Sequence, residues 1–351
     1  MTQPQLNIAG QTDVGRQRQD NQDTFISQTL WTDGQVLLAV IDGVGGYAGG
    51  AEAAALAREA IIRYMTAPTG DTLTMLREAV VYANNQIVAG RQSDPALARM
   101  SCVLTVAVAD AQAGRVQFVH VGDTRLYRFR KGQAEKLTHD HSLVGVREDA
   151  HQLTEREAML HPRRNEILRD VGSRNHRIDD PEFLESGEAD LLPGDVLLLC
   201  SDGLTDMITR AQITGVLTQS LPLNAQVTEL IHQANEHGGH DNITVVLAQF
   251  PAASGDAVAQ PIAQTSTVAS TVETKRTPAA VNMPQSDHKL TKSAGVAPFL
   301  LWLLGGLGLA VLLWFQFGAT KAPPPPVPPS APADTLIRRT PTNTTDSTRT
   351  P

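Results

Sequence analysis

Cysteine is almost missing from this chain. Two occur in 351 residues, Cys102 and Cys200, each inside an apolar run. That leaves no disulfide framework, and the pair reads as buried, reduced thiols. Positive charge is also scarce: 29 Lys and Arg stand against 37 Asp and Glu, a formal net charge of −8. No Lys/Arg stripe interleaved with aromatics appears, so nucleic acid is excluded as a partner. The first residues are polar and lack the apolar core of a secretory leader, so export by that route is not expected.

What is present is a sequence 41% hydrophobic, enough for one sizeable core or two small ones. Aliphatic runs at Val36–Ile41, Cys102–Ala109, Val116–Val121, Leu126–Arg130, Val196–Cys200 and Ile243–Gln249 read as strands. Helices are expected over the Ala-rich Ala51–Met65 and over about Asp71–Arg91, where Leu73, Leu76, Val80, Ala83 and Ile87 make one apolar face. The later strands cluster without helices between them, which predicts an antiparallel α+β layer fold over residues 1–250. Arg130-Lys131-Gly132 reads as a hairpin turn. The charged, His-rich segment 144–181, with a short helix at Thr154–Leu160, reads as a flap over a site.

Composition changes after Phe250. Residues 251–297 carry few large apolar side chains and read as a flexible linker. Residues 298–317 form an apolar run with no charge between Lys292 and Lys321 and a Trp toward each end, Trp302 and Trp314. That length matches a bilayer core and predicts one transmembrane helix. Residues 318–351 are a Pro/Thr-rich tail, extended and then disordered. Lys275, Arg276, Lys289 and Lys292 precede the span, and Lys321, Arg338 and Arg339 follow it. The balance places the N-terminal domain on the cytoplasmic side of a single-pass cell-membrane protein.

The chain is organised around VLLAVIDGVGGYAGG, Val36–Gly50. An apolar strand ending in Asp42-Gly43 leaves a carboxylate that is costly to bury unless a cation meets it. The glycines that follow let backbone approach a ligand closely. VLLLCSDG repeats the design with Asp202-Gly203, and Asp123 in HVGDTRLY and Asp241 in GGHDNITVV stand similarly at strand edges. One such acid would be a turn residue or helix cap; four in one domain read as ligands. Oxygen donors without His or Cys at ligand spacing suit Mg²⁺ or Mn²⁺ rather than Zn²⁺. Two such ions would activate water and neutralise charge on a phosphoryl group.

The segments TDVGRQRQDNQD (12–23), IDGVGGYAGGAEAA (41–54), HVGDTRLYRFRKG (120–132), LTHDHSLV (137–144), LLPGDVLLLCSDGLTDMI (191–208) and GGHDNITVV (238–246) stand in this order. Together they resemble the PPM family, the metal-dependent type-2C Ser/Thr protein phosphatases, in its bacterial form. The resemblance implies a sandwich of two antiparallel sheets flanked by helices. It implies that Asp42 bridges two Mn²⁺ or Mg²⁺ ions, that the Gly43 carbonyl is a ligand of one ion, and that Asp202 and Asp241 are ligands of the other. Asp123 falls where bacterial members hold a third ion together with the acid matching Asp202. Arg18 falls on the arginine that grips the substrate phosphate, where a guanidinium fork fits phosphate oxygens better than a lysine. Asp23 matches an acid that acts through bound water.

This chain departs from the family pattern at Gln22, where a glutamate is usual, and at Tyr47, where a histidine is usual. Gln22 keeps an oxygen for a bound water and loses a charge, which implies weaker metal affinity. A Tyr at position 47 is a poor general acid near neutral pH. Ser101-Cys102-Val103 replaces a Gly-Thr-Thr-like stretch. Neither cysteine has an arginine six residues on, so the loop of a cysteine-nucleophile phosphatase is absent. His141 reads as structural, and His120, His139, His151, His161 and His240 are left without a role. The expected function is dephosphorylation of phosphoserine and phosphothreonine in proteins, opposing a Ser/Thr kinase at the membrane. The alternatives are a pseudo-phosphatase that binds phosphoproteins without turnover, and a membrane scaffold whose Pro-rich tail recruits partners.

Overall fold

The structure is a computed structural model and describes residues 5–45 and 49–252. Strand β3 (Gln35–Val44) shows why the central run is apolar at every position. Its side chains alternate: Leu37, Ala39 and Ile41 pack with residues of α1 (Gly49–Tyr64) and α2 (Thr72–Ser93). Val36, Leu38 and Val40 pack instead with Leu197, Leu199, Val246 and Ala248 of the facing sheet. A strand covered on both faces has no solvent side to mark with polar residues. Each fully buried Leu or Ile there contributes on the order of 2 kcal/mol.

Two five-stranded antiparallel sheets result. The first has β2 (Asp23–Thr29), β3, β4 (Ser101–Asp110), β5 (Arg115–Val121) and β8 (Glu185–Asp190) in that order. The second runs β1 (Asn7–Asp13), β10 (Ile243–Gln249), β9 (Val196–Cys200), β6 (Arg125–Arg130), β7 (Gln133–Lys136). Its outer face packs Leu198, Val245 and Leu247 with residues of α5 (Asp202–Thr205), α6 (Arg210–Leu217) and α7 (Leu223–Glu236). The order of layers is therefore helix, sheet, sheet, helix.

All six expected strands are present, and the β6–β7 hairpin turns through Lys131 and Gly132, both at positive φ. The expected short flap helix is α4 (Glu155–Met159), with Thr154 and Glu157 forming a capping box. Helix α3 (Leu143–Asp149) precedes it and was not foreseen. Asp71 is the N-cap of α2 rather than its first residue. One correction matters for the site. The apolar run was expected to end at Asp42-Gly43, but β3 continues through both to Val44, with Asp42 opposite Asp23 and Val103, and Gly43 opposite Cys102. The Gly43 N–H donates to the Gln22 carbonyl at 3.2 Å, which carries the pairing past the acid.

The expected linker from residue 253 onward, the membrane span and the tail lie outside the described residues, as does Tyr47. Among the described residues no helix is long and apolar enough to cross a membrane.

Candidate metal centre

Five separate chain segments deliver carboxylates to one cleft of about 510 Å³. It is lined by Asp42 and Gly43 from β3, Asp123 after β5, Asp202 at the start of α5 and Asp241 before β10. Arg18, Asp20 and Gln22, from the loop before β2, also line it. Asp23 is buried and stands opposite Asp42 in the β2–β3 ladder.

The electrostatics are severe. Burial, and then repulsion from Asp23, Asp202, Asp123 and Asp241, holds the Asp42 carboxyl well above the usual carboxylate range. Burial and the acids Asp206, Asp123, Asp241 and Asp23 do the same to Asp202. Burial lifts Asp123 to about 7 and Asp23 to about 6, the latter opposed by hydroxyl donors from Thr244 and Ser201. Those hydroxyls bond Asp23 Oδ2 at 2.7 and 2.8 Å. Its other oxygen, Oδ1, is buried without a hydrogen-bond partner, and so is Asp202 Oδ1. Buried carboxylate oxygens facing other carboxylates and lacking a donor are what a divalent cation would satisfy. The donor set is all oxygen, so it fits Mg²⁺ or Mn²⁺.

Among the described residues, Arg18 is the cation that lines this cleft. Arg18 Nη2 donates to Asp241 Oδ2 at 2.7 Å, with half of the Arg18 side chain exposed. The loop carrying Arg18 is pinned by Asn242, whose Nδ2 donates to the carbonyls of Val14 and Asp20, both at 3.0 Å. Asn242 Oδ1 accepts from the Gln22 N–H at 2.8 Å. Sequence reading did not single out Asn242, although it directly follows Asp241, nor Ser201 beside Asp202, nor Thr244. It also missed Asp206, four residues after Asp202, which accepts from Arg164 Nε of the flap at 2.6 Å. The spacing was visible; the Arg164 contact, 42 residues away, was not.

No histidine lines this cleft among the described residues. His120, His141 and Glu185 bring one donor atom each within 4.8 Å of one another. They do not form a second metal site. His120 Nε2 faces the Gly122 carbonyl at 2.9 Å, which fixes the proton there, and its Nδ1 is engaged by Thr105 Oγ1 at 2.9 Å. His141 Nδ1 accepts from the Gly122 N–H at 3.2 Å, a structural role, and burial followed by the neighbouring His120 pushes its pKa down to about 3. His139 pairs with Glu185.

Residues 12–248 match the family model described as protein phosphatase 2C. The chain is 35% identical over 249 residues to the protein phosphatase PhpP of Streptococcus pneumoniae, covering 70% of this chain and 98% of that protein. A serine/threonine phosphatase structure from S. agalactiae superposes with a TM-score of 0.61 at 33% identity, over 70% of this chain and 99% of that one. The catalytic domain of the phosphatase PstP, solved in complex with two manganese ions, superposes with a TM-score of 0.59 at 32% identity, over 70% and 97%.

Proposed function

Because the chain belongs to the protein phosphatase 2C family and is a Ser/Thr protein phosphatase, we propose a specific site and setting for that activity. Asp42, the Gly43 carbonyl, Asp202 and Asp241 hold two divalent cations, Mn²⁺ or Mg²⁺. Asp123 with Asp202 holds a third, and Asp23 and Gln22 act through water. When bound, the cations supply a nucleophile from water near neutral pH and positive charge opposite the phosphoryl oxygens.

The chain's own residues then do the following. Arg18, on the rim, turns its guanidinium fork to the substrate phosphate and orients phosphorus toward the cleft floor. Asn242 holds the Val14–Gln22 loop, and with it Arg18, against the end of β10. Asp23, held by Ser201 and Thr244, presents its second oxygen as an acceptor for a water proton. The flap, tied to the cleft by Arg164–Asp206, meets the protein part of the substrate.

The observation that carries this reading is the pair of partnerless buried oxygens, on Asp23 and Asp202, at a cleft walled by acids from five segments. Hydrolysis of p-nitrophenyl phosphate and of a phosphothreonine peptide by the full chain, with and without Mn²⁺, tests it. Cation-dependent release of phosphate from both is expected. Binding of the peptide without turnover would leave a phosphoprotein-binding module instead.

The setting is the membrane. The uncharged run at 298–317 anchors the chain, and the Lys/Arg balance around it keeps the phosphatase domain cytoplasmic. The 251–297 linker then concentrates the enzyme near membrane-bound phosphoproteins, with a Ser/Thr kinase the natural opponent. Fractionation of full-length chain against one ending at residue 252 tests the anchor. Only the full chain should pellet with membranes.

A further inference from the structure

Helix α2 carries three polar side chains at seven-residue intervals, Arg77, Asn84 and Arg91, and all three reach the backbone of one segment, the C-terminal limb of the flap. Arg77 Nη2 donates to the Ile178 carbonyl at 3.0 Å. Asn84 Nδ2 donates to the Arg174 carbonyl at 2.8 Å, and Asn84 Oδ1 accepts from the Gly172 N–H at 2.7 Å. Arg91 Nη1 donates to the Gly172 carbonyl at 2.8 Å, while its Nε donates to the Ala98 carbonyl at 2.9 Å.

The fit is close. Asn84 is completely buried, and both ends of its amide are used on this segment. Gly172 lies so near α2 that a Cβ there would come 2.3 Å from Ile87 Cγ2, and its φ of +111° suits glycine alone. One residue earlier, Val171 exchanges two backbone hydrogen bonds with Cys102, at 3.0 and 2.8 Å. Cys102 is the β4 residue directly opposite Gly43 of the candidate metal centre. The limb from Val171 to Ile178 is therefore fixed to the floor of the site on one side and to α2 on the other.

The limb continues directly from the cleft wall, which is also held on its other side, where the Leu143 N–H donates to the Glu166 carbonyl at 2.9 Å and the Leu168 N–H to the His141 carbonyl at 2.7 Å. Asn165 and Ile167, just before it, line the same cleft as the acids, and Arg164 bonds Asp206. A helix that only needed to cover a sheet would be served by its apolar face. Three polar groups spent on the main chain of one strap specify that strap's position instead.

We propose that α2 positions the Arg164–Ile167 wall for protein substrates, with Asn84 and Arg91 as positioning residues. The proposal rests on the phosphatase reading. A small aryl phosphate needs only the acids and Arg18, whereas a phosphoprotein must also meet the wall. Loosening the strap should then raise KM for the protein substrate and leave the small substrate alone.

The test uses the full chain with Mn²⁺. Arg91→Ala should raise KM for a phosphothreonine peptide about 3- to 10-fold, a fraction of the worth of one charged hydrogen bond, because the loss reaches the substrate only through the strap. Both p-nitrophenyl phosphate constants should stay within about twofold of wild type, and Arg91→Lys should recover part of the peptide KM. Asn84→Ala should act in the same direction, with faster amide exchange at Gly172. Arg91→Ala serves should Asn84→Ala fail to fold. The proposal is overturned if the small and peptide substrates lose activity in equal proportion. It is equally overturned if peptide KM is unchanged although the Gly172 amide exchanges faster. Wild-type chain that binds Mn²⁺ and hydrolyses neither substrate would remove the phosphatase reading and this inference with it.

Discussion

Arg18 Nη2 sits 2.7 Å from Asp241 Oδ2, so the guanidinium proposed to grip phosphate is paired with an acid proposed to bind a cation. The two roles are in competition. A cation that takes Asp241 weakens its hold on Arg18 and frees the fork for phosphate. Half of the Arg18 side chain is exposed, so water screens the pair and its cost to cation binding is small.

Arg18→Ala should therefore act in opposite directions on two measurements. Loss of a charge-assisted contact to phosphate should lower kcat/KM on a phosphopeptide about 10- to 100-fold. Removal of the competitor should tighten Mn²⁺ binding, read by titration calorimetry, by no more than about fivefold. Arg18→Lys should restore charge but not the fork, and so recover only part of the rate. Weaker Mn²⁺ binding in Arg18→Ala would show that the pair supports the site rather than competing for it.

Asp202→Asn should abolish turnover while the domain stays folded. The wild-type carboxylate is buried among like charges with Oδ1 unpartnered, and an amide removes that repulsion. Melted without cations, the variant should equal or exceed wild type in Tm, and it should lose most of the Mn²⁺-induced rise. Gln22→Glu should do the reverse, tightening Mn²⁺ several-fold by adding a charge beside the acids. Near-normal turnover in Asp202→Asn would refute its assignment as a ligand.

The strand order and the acid cluster differ in how far they could be read from the sequence. Runs such as Val36–Ile41 and Val196–Cys200 are legible because both faces of those strands are covered, so every position is apolar. The edge strand β8 is not, since Glu185–Asp190 alternates polar and small residues with one face in solvent. Asp42, Asp123, Asp202 and Asp241 are legible because each is an acid set against an apolar run. Asn242, Ser201 and Thr244 are not, because their work is hydrogen bonding across 178 to 228 residues of sequence, which no local pattern records. Asn84 likewise reads as an ordinary helix residue until its partners at Gly172 and Arg174 are seen.

Stability should depend on pH in a way that cations reverse. Asp23 is lifted from 3.8 to about 6, and Asp123 from 3.8 to about 7, first by burial. Between about pH 4 and 7 the folded, cation-free chain thus holds protons that the unfolded chain has released. Stability from these groups is full below about pH 4 and falls as pH rises through 6 and 7. Bound cations neutralise the same carboxylates and remove the loss. Mn²⁺ at a hundred times its Kd should add about 2.7 kcal/mol, or about 5 to 10 °C in Tm. At one fixed Mn²⁺ concentration the rise should be larger at pH 8 than at pH 5, because protons compete for the carboxylates at the lower pH. Equal rises at both, by scanning fluorimetry in chelator and in Mn²⁺, would mean these acids are not where the cation binds.

Gly43 and Gly50 offer the sharpest separation of helix propensity from site geometry. Gly50 lies in the first turn of α1, where Ala would ordinarily be favoured over Gly, by up to about 1 kcal/mol in a helix interior. A Cβ there would meet the Gly43 carbonyl oxygen at 2.6 Å and Gln22 Oε1 at 2.1 Å. The carbonyl cannot give way, because Gly43 is held in β3 opposite Cys102. A Cβ on Gly43 would in turn meet the Gly50 carbonyl at 2.2 Å. Each alanine should therefore destabilise, by about 1 to 3 kcal/mol, and weaken Mn²⁺ binding by displacing the Gly43 carbonyl. Both push apart the same two backbones, so the double variant should cost clearly less than the sum of the singles in urea unfolding. A Gly50→Ala variant that is more stable and binds Mn²⁺ as wild type does would show that α1 is free to shift away from the metal centre.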